Sequence, residues 1–199
     1  SGKINCVSNG LFNEFNPVFT RSGKHLLFVS NRRFNPTFCD LEWEMVYKNV
    51  AGIYALTLTK NGDSFLPYKS DEVNTGNFSN KIVTQSNIKV EIDFEGLADR
   101  IEVLPLPRGN YRELDVNGST LYYLNKEKGD FNKFDYRAVG TRTLYAYSFN
   151  DKKEREVIKD IDNYKLSADG SFIIYKKGNN VGIISSNAKQ SKGKNISLS

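Results

Sequence analysis

Side chains suited to covalent chemistry are scarce in this chain. Its 199 residues hold two cysteines, one histidine, one tryptophan and one methionine. Cys6 and Cys39 form no CxxC, so no zinc or dithiol redox motif is present. They read as two free, half-buried thiols, and a bridge in an oxidising compartment would need their Cβ atoms to meet. His25 is the sole histidine, so no His pair exists for a metal. There is no G-x-S-x-G and no phosphate loop. Nucleophilic catalysis needs a base held by a third group, and the sequence offers little to build one. No catalytic residue, cofactor or metal is therefore expected.

Long apolar runs are also missing. Nothing approaches the roughly 20 apolar residues of a membrane helix, so no membrane span is expected. The opening "SGKINCVSNG" lacks the apolar centre of a signal peptide. Ser1-Gly2 reads as a cloning scar, which leaves the compartment open, with a periplasmic or secreted setting placed ahead of a cytoplasmic one. The net charge is +5, yet Lys and Arg are interleaved with Asp and Glu, as in "DKKEREVIKD". Nucleic-acid binders concentrate positive charge on one face, so this pattern reads as a solvated surface.

What is plentiful is aromatic: 13 Phe and 11 Tyr, a composition that suits strands. One phrase recurs three times, as "FTRSGKHLLF", "LDVNGSTLYY" and "LSADGSFIIY". Aligned on Gly23, Gly118 and Gly170, each copy reads as a short strand ending three residues before the Gly, a turn, and an apolar strand ending in Phe28, Tyr123 or Tyr175. The continuous apolar runs predict strands covered on both faces. His25 recurs as Thr120 and Phe172 in the other copies, so it reads as structural or surface. A third strand follows each hairpin, "IYALTL", "TLYAYSF" or "VGIISS", and then a fourth, "DRIEVLPLP", "REVIKDI" or "NISLS".

The repeating unit is therefore four strands, up and down. Gly118 and Gly170 lie 52 residues apart, near the period of β-propeller blades. The expected fold is all-β, with about three blades of an incomplete propeller. Residues 1–11 are the end strand of a preceding blade. An expanded blade spans 12–107, with a polar linker at 67–87, and further blades span 108–160 and 161–199. A short helix is expected near 41–49. Three blades leave open faces, so the chain is a slice of something larger or packs against copies of itself.

The phrase "NPVFTRSGKHLLFVSNR" resembles the TolB-type propeller repeat, P-x-F-S-P-D-G-K-x-I-x-F-x-S-x-R. It keeps Pro17, Phe19, Gly23, Lys24, Phe28, Ser30 and Arg32, and departs from it at Arg21-Ser22. A narrower likeness lies in "SNRRFNPTFCDLEWEMVYKNVAGIYALTL", "FLPYKSDE" and "VEIDFEGLADRIEVLPLPRGNY". These resemble, in the same order, the second propeller of bacterial Tricorn-type serine peptidases. The resemblance implies a longer parent chain with further blades, a PDZ-like domain, and a protease domain carrying a nucleophilic Ser and a His. It implies that this segment gates or guides peptides or unfolded polypeptide to that hydrolase without itself cutting. A stand-alone TolB-like interaction propeller with no linked enzyme is the alternative.

Four basic residues are candidates for lining a substrate channel. Arg32 and Arg33 sit in "NRRF", where a guanidinium fork would suit a peptide carboxylate. Arg112 and Lys165 take matching places on first strands, those nearest the axis of a propeller. Glu91, Asp93, Glu95 and Asp99 cluster around Gly96 and would suit a hard cation, but lack EF-hand spacing and read as a solvated turn.

Overall fold

The computed structural model describes residues 2, 4–8, 10–33, 36–38, 45–47, 49–66, 89–126, 142–187 and 194–197. The chain divides into two compact units, Ser1–Arg108 and Gly109–Ser199.

The first unit holds a four-stranded antiparallel sheet in the order β1-β2-β5-β6, from β1 (Glu14–Phe19), β2 (His25–Ser30), β5 (Gly52–Thr57) and β6 (Ile101–Val103). β2 opposes β5 with Leu27 across from Ala55 and Phe28 across from Tyr54. Both faces of this central pair are buried, which is why its residues read as a continuous apolar run. On one face Phe28, Tyr54 and Leu56 join Leu58 and Leu97, with Ile92 packed against them. The Phe28 and Tyr54 rings stack at 5.9 Å.

Residues 89–100 are held over that face by backbone and side-chain bonds. Asp93 N–H donates to the Leu58 carbonyl at 2.9 Å. The Arg100 guanidinium donates to the carbonyls of Thr57, Leu58, Glu95 and Asp93. One guanidinium thus ties the end of β5 to the loop over it by bonding four backbone carbonyls.

Within the excursion between β2 and β5, β3 (Pro36–Phe38) pairs with β4 (Met45–Tyr47). A strand at Met45–Tyr47 replaces the middle of the helix expected near 41–49. A helix of two turns is not stable alone, and the Met-Val-Tyr run favours a ladder. Residues 41–44 and the linker at 67–87 lie outside the described residues. The described part of 1–11 forms no ladder with the other described residues. Cys6 is free and exposed rather than half-buried, because a segment outside any sheet has nothing to cover it. Cys39 is not among the described residues.

The second unit contains two four-stranded antiparallel sheets. One is ordered β10-β9-β8-β7, from β7 (Tyr111–Asn117), β8 (Thr120–Lys126), β9 (Arg142–Ser148) and β10 (Lys153–Ile161). The other is ordered β11-β12-β13-β14, from β11 (Asn163–Leu166), β12 (Phe172–Lys177), β13 (Asn180–Ser185) and β14 (Lys194–Ser197). They pack face to face. Tyr122, Leu124, Leu144, Ala146, Val157 and Ile161 meet Tyr164, Ile173, Tyr175 and Ile184. Each aliphatic side chain buried there contributes about 1.5–3 kcal/mol relative to exposure. Side chains of one sheet also bond to the backbone of the other. Asn117 donates to the Gly170 carbonyl at 2.8 Å, Tyr122 and Arg155 both donate to the Ser186 carbonyl, and Tyr164 donates to the Glu113 carbonyl at 2.6 Å.

The three hairpins share their glycines but not one turn. Gly23 N–H donates to Thr20 O and Gly170 N–H to Ser167 O, each glycine at positive φ, in matching loops. In the second copy the first strand runs on to Asn117, which opposes Thr120, and closes with a two-residue Gly118-Ser119 turn. The expectation that every first strand ends three residues before its Gly therefore fails. Asn-Gly permits the tighter turn, whereas the Thr20 and Ser167 hydroxyls bind the far sides of the longer loops.

Candidate functional site

The first strand of each sheet is an edge strand, paired on one side only. Two of these strands carry a bulge. The register of β1 against β2 shifts between Phe15 and Val18, and that of β7 against β8 shifts between Arg112 and Asp115. Asn16 and Glu113, within the bulges, take left-handed φ of 51°. Glycine favours that conformation, and a longer side chain holds it only with outside support. For Glu113 part of that support is visible, since the buried Tyr164 hydroxyl binds its carbonyl. β11 has a regular register and no bulge.

Two residues expected to match stand at different heights on their strands. Arg112 opposes Leu124, six residues past its turn glycine, whereas Lys165 opposes Ile174, four residues past its own. Both side chains are exposed on edge strands, but they stand two residue pairs apart relative to their turns.

The two arginines of "NRRF" are engaged within the fold. Arg32 pairs with Glu14, donates to the Ser30 hydroxyl at 3.0 Å, and lies over the rings of Phe12, Phe28 and Tyr54 at 5.0–6.0 Å. The Arg32 and Glu14 side chains are only 20% and 18% exposed, so this pair is partly desolvated. Arg33 donates to the Leu106 carbonyl at 3.0 Å. The sequence does not mark Glu14 and Phe12 as partners of Arg32, because both are far from it in the chain. Tyr164 was equally unmarked, although the recurring Asn-Tyr of "GNYRE" and "DNYKL" was a usable signal.

His25 is buried, its Nε2 3.0 Å from the Asp63 carbonyl and its ring edge-on to Phe65. It serves as a packing residue beneath a turn. Of the acidic cluster, Asp93 accepts from Lys60 N–H at 2.8 Å, Glu95 pairs with Lys60, and Glu91 pairs with Lys89. Among the described residues no group of three or more His, Cys, Asp or Glu side chains could hold a metal.

The electrostatics are those of a packed β fold. Burial pushes the Tyr122, Tyr123, Tyr147 and Tyr164 phenols above their usual range, and the neighbouring Glu154 carboxylate raises Tyr123 further. Asp169, in the third turn, is held at about 2 by hydrogen bonds from the Ser167 hydroxyl and from Ser171.

Twelve strands in three up-and-down antiparallel four-stranded sheets, with a single 3-10 turn (Ala98–Arg100) as the helical element among the described residues, define β-propeller blades. The family model of the Tricorn protease second beta propeller domain matches residues 1–187, and the chain belongs to that family. It is 26% identical over 172 residues to the Tricorn protease of Thermoplasma volcanium, covering 86% of this chain and 16% of that protein. It is 25% identical over 178 residues to Tricorn protease homolog 1 of Streptomyces coelicolor, covering 82% of this chain and 16% of that one. The crystal structure of the tricorn protease superposes with a TM-score of 0.68 at 16% identity, over 96% of this chain and 19% of that chain. The chain thus spans less than a fifth of the length of these relatives.

Proposed function

We propose that this chain is a non-catalytic propeller segment of a Tricorn-like serine peptidase, with 12–107, 108–160 and 161–199 as its blades. It guides peptides or unfolded polypeptide toward a protease domain outside these residues. The observation that carries the reading is the family match along 1–187. Relatives named Tricorn protease are several times longer than the aligned region, which leaves room for a catalytic part elsewhere. Arg32 and Arg33 are committed to Glu14, aromatic rings and the Leu106 carbonyl. Arg112 and Lys165 are exposed on edge strands, where each would meet an acidic side chain or the C-terminal carboxylate of a substrate.

The test uses the complete natural polypeptide that carries this segment and a series of peptides ending in free or amidated C-termini. Arg112→Glu and Lys165→Glu should raise KM for free-carboxylate peptides and leave kcat near its original value. Equal kinetics on both peptide series, before and after substitution, would remove these residues from substrate handling. Absence of peptide hydrolysis by the complete polypeptide would sink the peptidase reading and favour an interaction propeller.

A further inference from the structure

Asn-Gly is the dipeptide in which an asparagine side chain is attacked most readily by its own backbone, because glycine puts no side chain beside the attacking nitrogen. It occurs three times, as Asn9-Gly10, Asn61-Gly62 and Asn117-Gly118. Asn9 is not among the described residues, and the other two stand in opposite settings. Asn117 pairs with Thr120 in the β7–β8 ladder, and its amide donates to the Gly170 carbonyl at 2.8 Å. Asn61 is exposed in the turn after β5, and its side chain makes no hydrogen bond among the described residues. That turn is closed by a bond from Gly62 N–H to the Thr59 carbonyl at 3.2 Å.

The segment around Asn61 is fastened on both sides. Before it, Lys60 N–H donates to the Asp93 carboxylate at 2.8 Å. After it, the Asp63 carbonyl lies 3.0 Å from His25 Nε2, and the buried Phe65 ring meets His25 edge-on. Ser64 Oγ and Leu66 N–H then donate to the Glu102 carboxylate. Gly62 itself lies close against its neighbours, since a Cβ there would fall 2.7 Å from Thr57 Cγ2 and 2.8 Å from Thr59 Oγ1. Between Lys60 and Asp63 there is therefore little room for a longer backbone.

We propose that Asn61 is a spontaneous deamidation site, that the fold protects Asn117 from the same reaction, and that the isoaspartyl product at 61 unseats Asp63 from His25. The Gly62 nitrogen, losing its proton to hydroxide or buffer base, attacks Asn61 Cγ. A C–N bond forms, the Cγ–Nδ2 bond breaks, and Nδ2 leaves as ammonia with a proton taken from solvent. Water then opens the cyclic succinimide, at Cγ to give aspartate or at the main-chain carbonyl to give isoaspartate. Water is the sole co-reactant. For Asn117 the same attack would swing the amide carbon toward its own backbone, which breaks the bond to Gly170 and the pairing with Thr120. At 61, aspartate adds only a charge. Isoaspartate also routes the main chain through Cβ and Cγ, lengthening it by one carbon between the attachments at Lys60 and Asp63. The proposal rests on neither the propeller reading nor peptidase activity.

The test ages the 199-residue chain in mildly alkaline heavy-oxygen water, folded and in urea. Peptide mass spectrometry reads each site, with fragmentation that separates aspartate from isoaspartate. In the folded chain Asn61 should convert, with Asn117 lagging by about tenfold or more, because reaching the reactive geometry costs Asn117 its bond to Gly170. In urea the two should convert at similar rates. An unmodified Asn61 in the folded chain, equal folded rates, or the same lag of Asn117 in urea each overturns the proposal. The structural consequence is read by hydrogen exchange of the purified isoaspartyl chain against the parent and Asn61→Asp. Peptides carrying His25 and residues 63–66 should lose protection in the isoaspartyl chain and keep it in Asn61→Asp. Full protection in the isoaspartyl chain overturns the unseating of Asp63. Equal loss in both forms assigns the effect to charge and overturns the role of the longer backbone.

Discussion

Tyr164→Phe and Tyr147→Phe delete the same oxygen from two buried tyrosines, with different expected outcomes. Tyr164 is 4% exposed, and its hydroxyl donates to the Glu113 carbonyl at 2.6 Å. That carbonyl lies in the β7 bulge. Deleting the donor loses a net hydrogen bond between a buried side chain and a part-buried carbonyl, at a cost of about 1–2 kcal/mol. For a chain of this size that lowers Tm by about 3–6 °C. Tyr147 is 1% exposed, and its hydroxyl has no hydrogen-bond partner among the described residues. Its phenylalanine variant removes an uncompensated polar group, so stability should be unchanged or rise by up to about 1 kcal/mol. Urea unfolding of the 199-residue chain followed by far-UV circular dichroism reads both, with m unchanged if the unfolded states are alike. The reasoning is refuted if Tyr147→Phe costs as much as Tyr164→Phe, or if Tyr164→Phe stays within about 0.5 kcal/mol of the parent.

Three further outcomes follow from named geometry. Gly170→Ala should destabilise by about 2–3 kcal/mol in the same urea assay, since φ is +73° and an added Cβ falls 2.2 Å from the Asn117 amide; a neutral result would mean the turn relaxes freely. Arg32→Ala should cost about 2–3 kcal/mol, because it removes three ring contacts and leaves Glu14 partly buried without its cation, and Glu14→Gln combined with it should cost little more. At alkaline pH the buried phenols Tyr122, Tyr123, Tyr147 and Tyr164 have folded pKa values above the usual 10.0. Their contribution is fully present below that value and is lost as pH rises above it. Phenolate absorbance should therefore appear in two stages, exposed tyrosines first and these four together with unfolding; a single stage near the ordinary value, with structure retained, contradicts the burial.

Much of the fold was legible because strands are written locally. The turn glycines and the apolar runs after them placed β2, β8 and β12, and "IYALTL", "TLYAYSF" and "VGIISS" contain or overlap β5, β9 and β13. The site was less legible. Arg112 and Lys165 matched as letters, but the tight Gly118-Ser119 turn and the extra residue between Arg112 and its glycine placed them at different heights. Met45–Tyr47 read as part of a helix by spacing, and pairing with Pro36–Phe38 decided otherwise. Arg32 read as a free guanidinium until Glu14 and Phe12 were brought to it from earlier in the chain.

The sequence by itself determined the repeat, the up-and-down order of four strands, and the faces that must be apolar. Those properties depend on neighbours a few residues apart: a glycine at positive φ, and side chains alternating across a pleat. Only the tertiary structure decided which arginines are engaged, which carbonyl receives Tyr164, and which of three equivalent faces stays exposed at Ile174 and Ile183. Those depend on which residues distant in the chain meet, and a side chain's burial belongs to the surface packed against it rather than to its own letter.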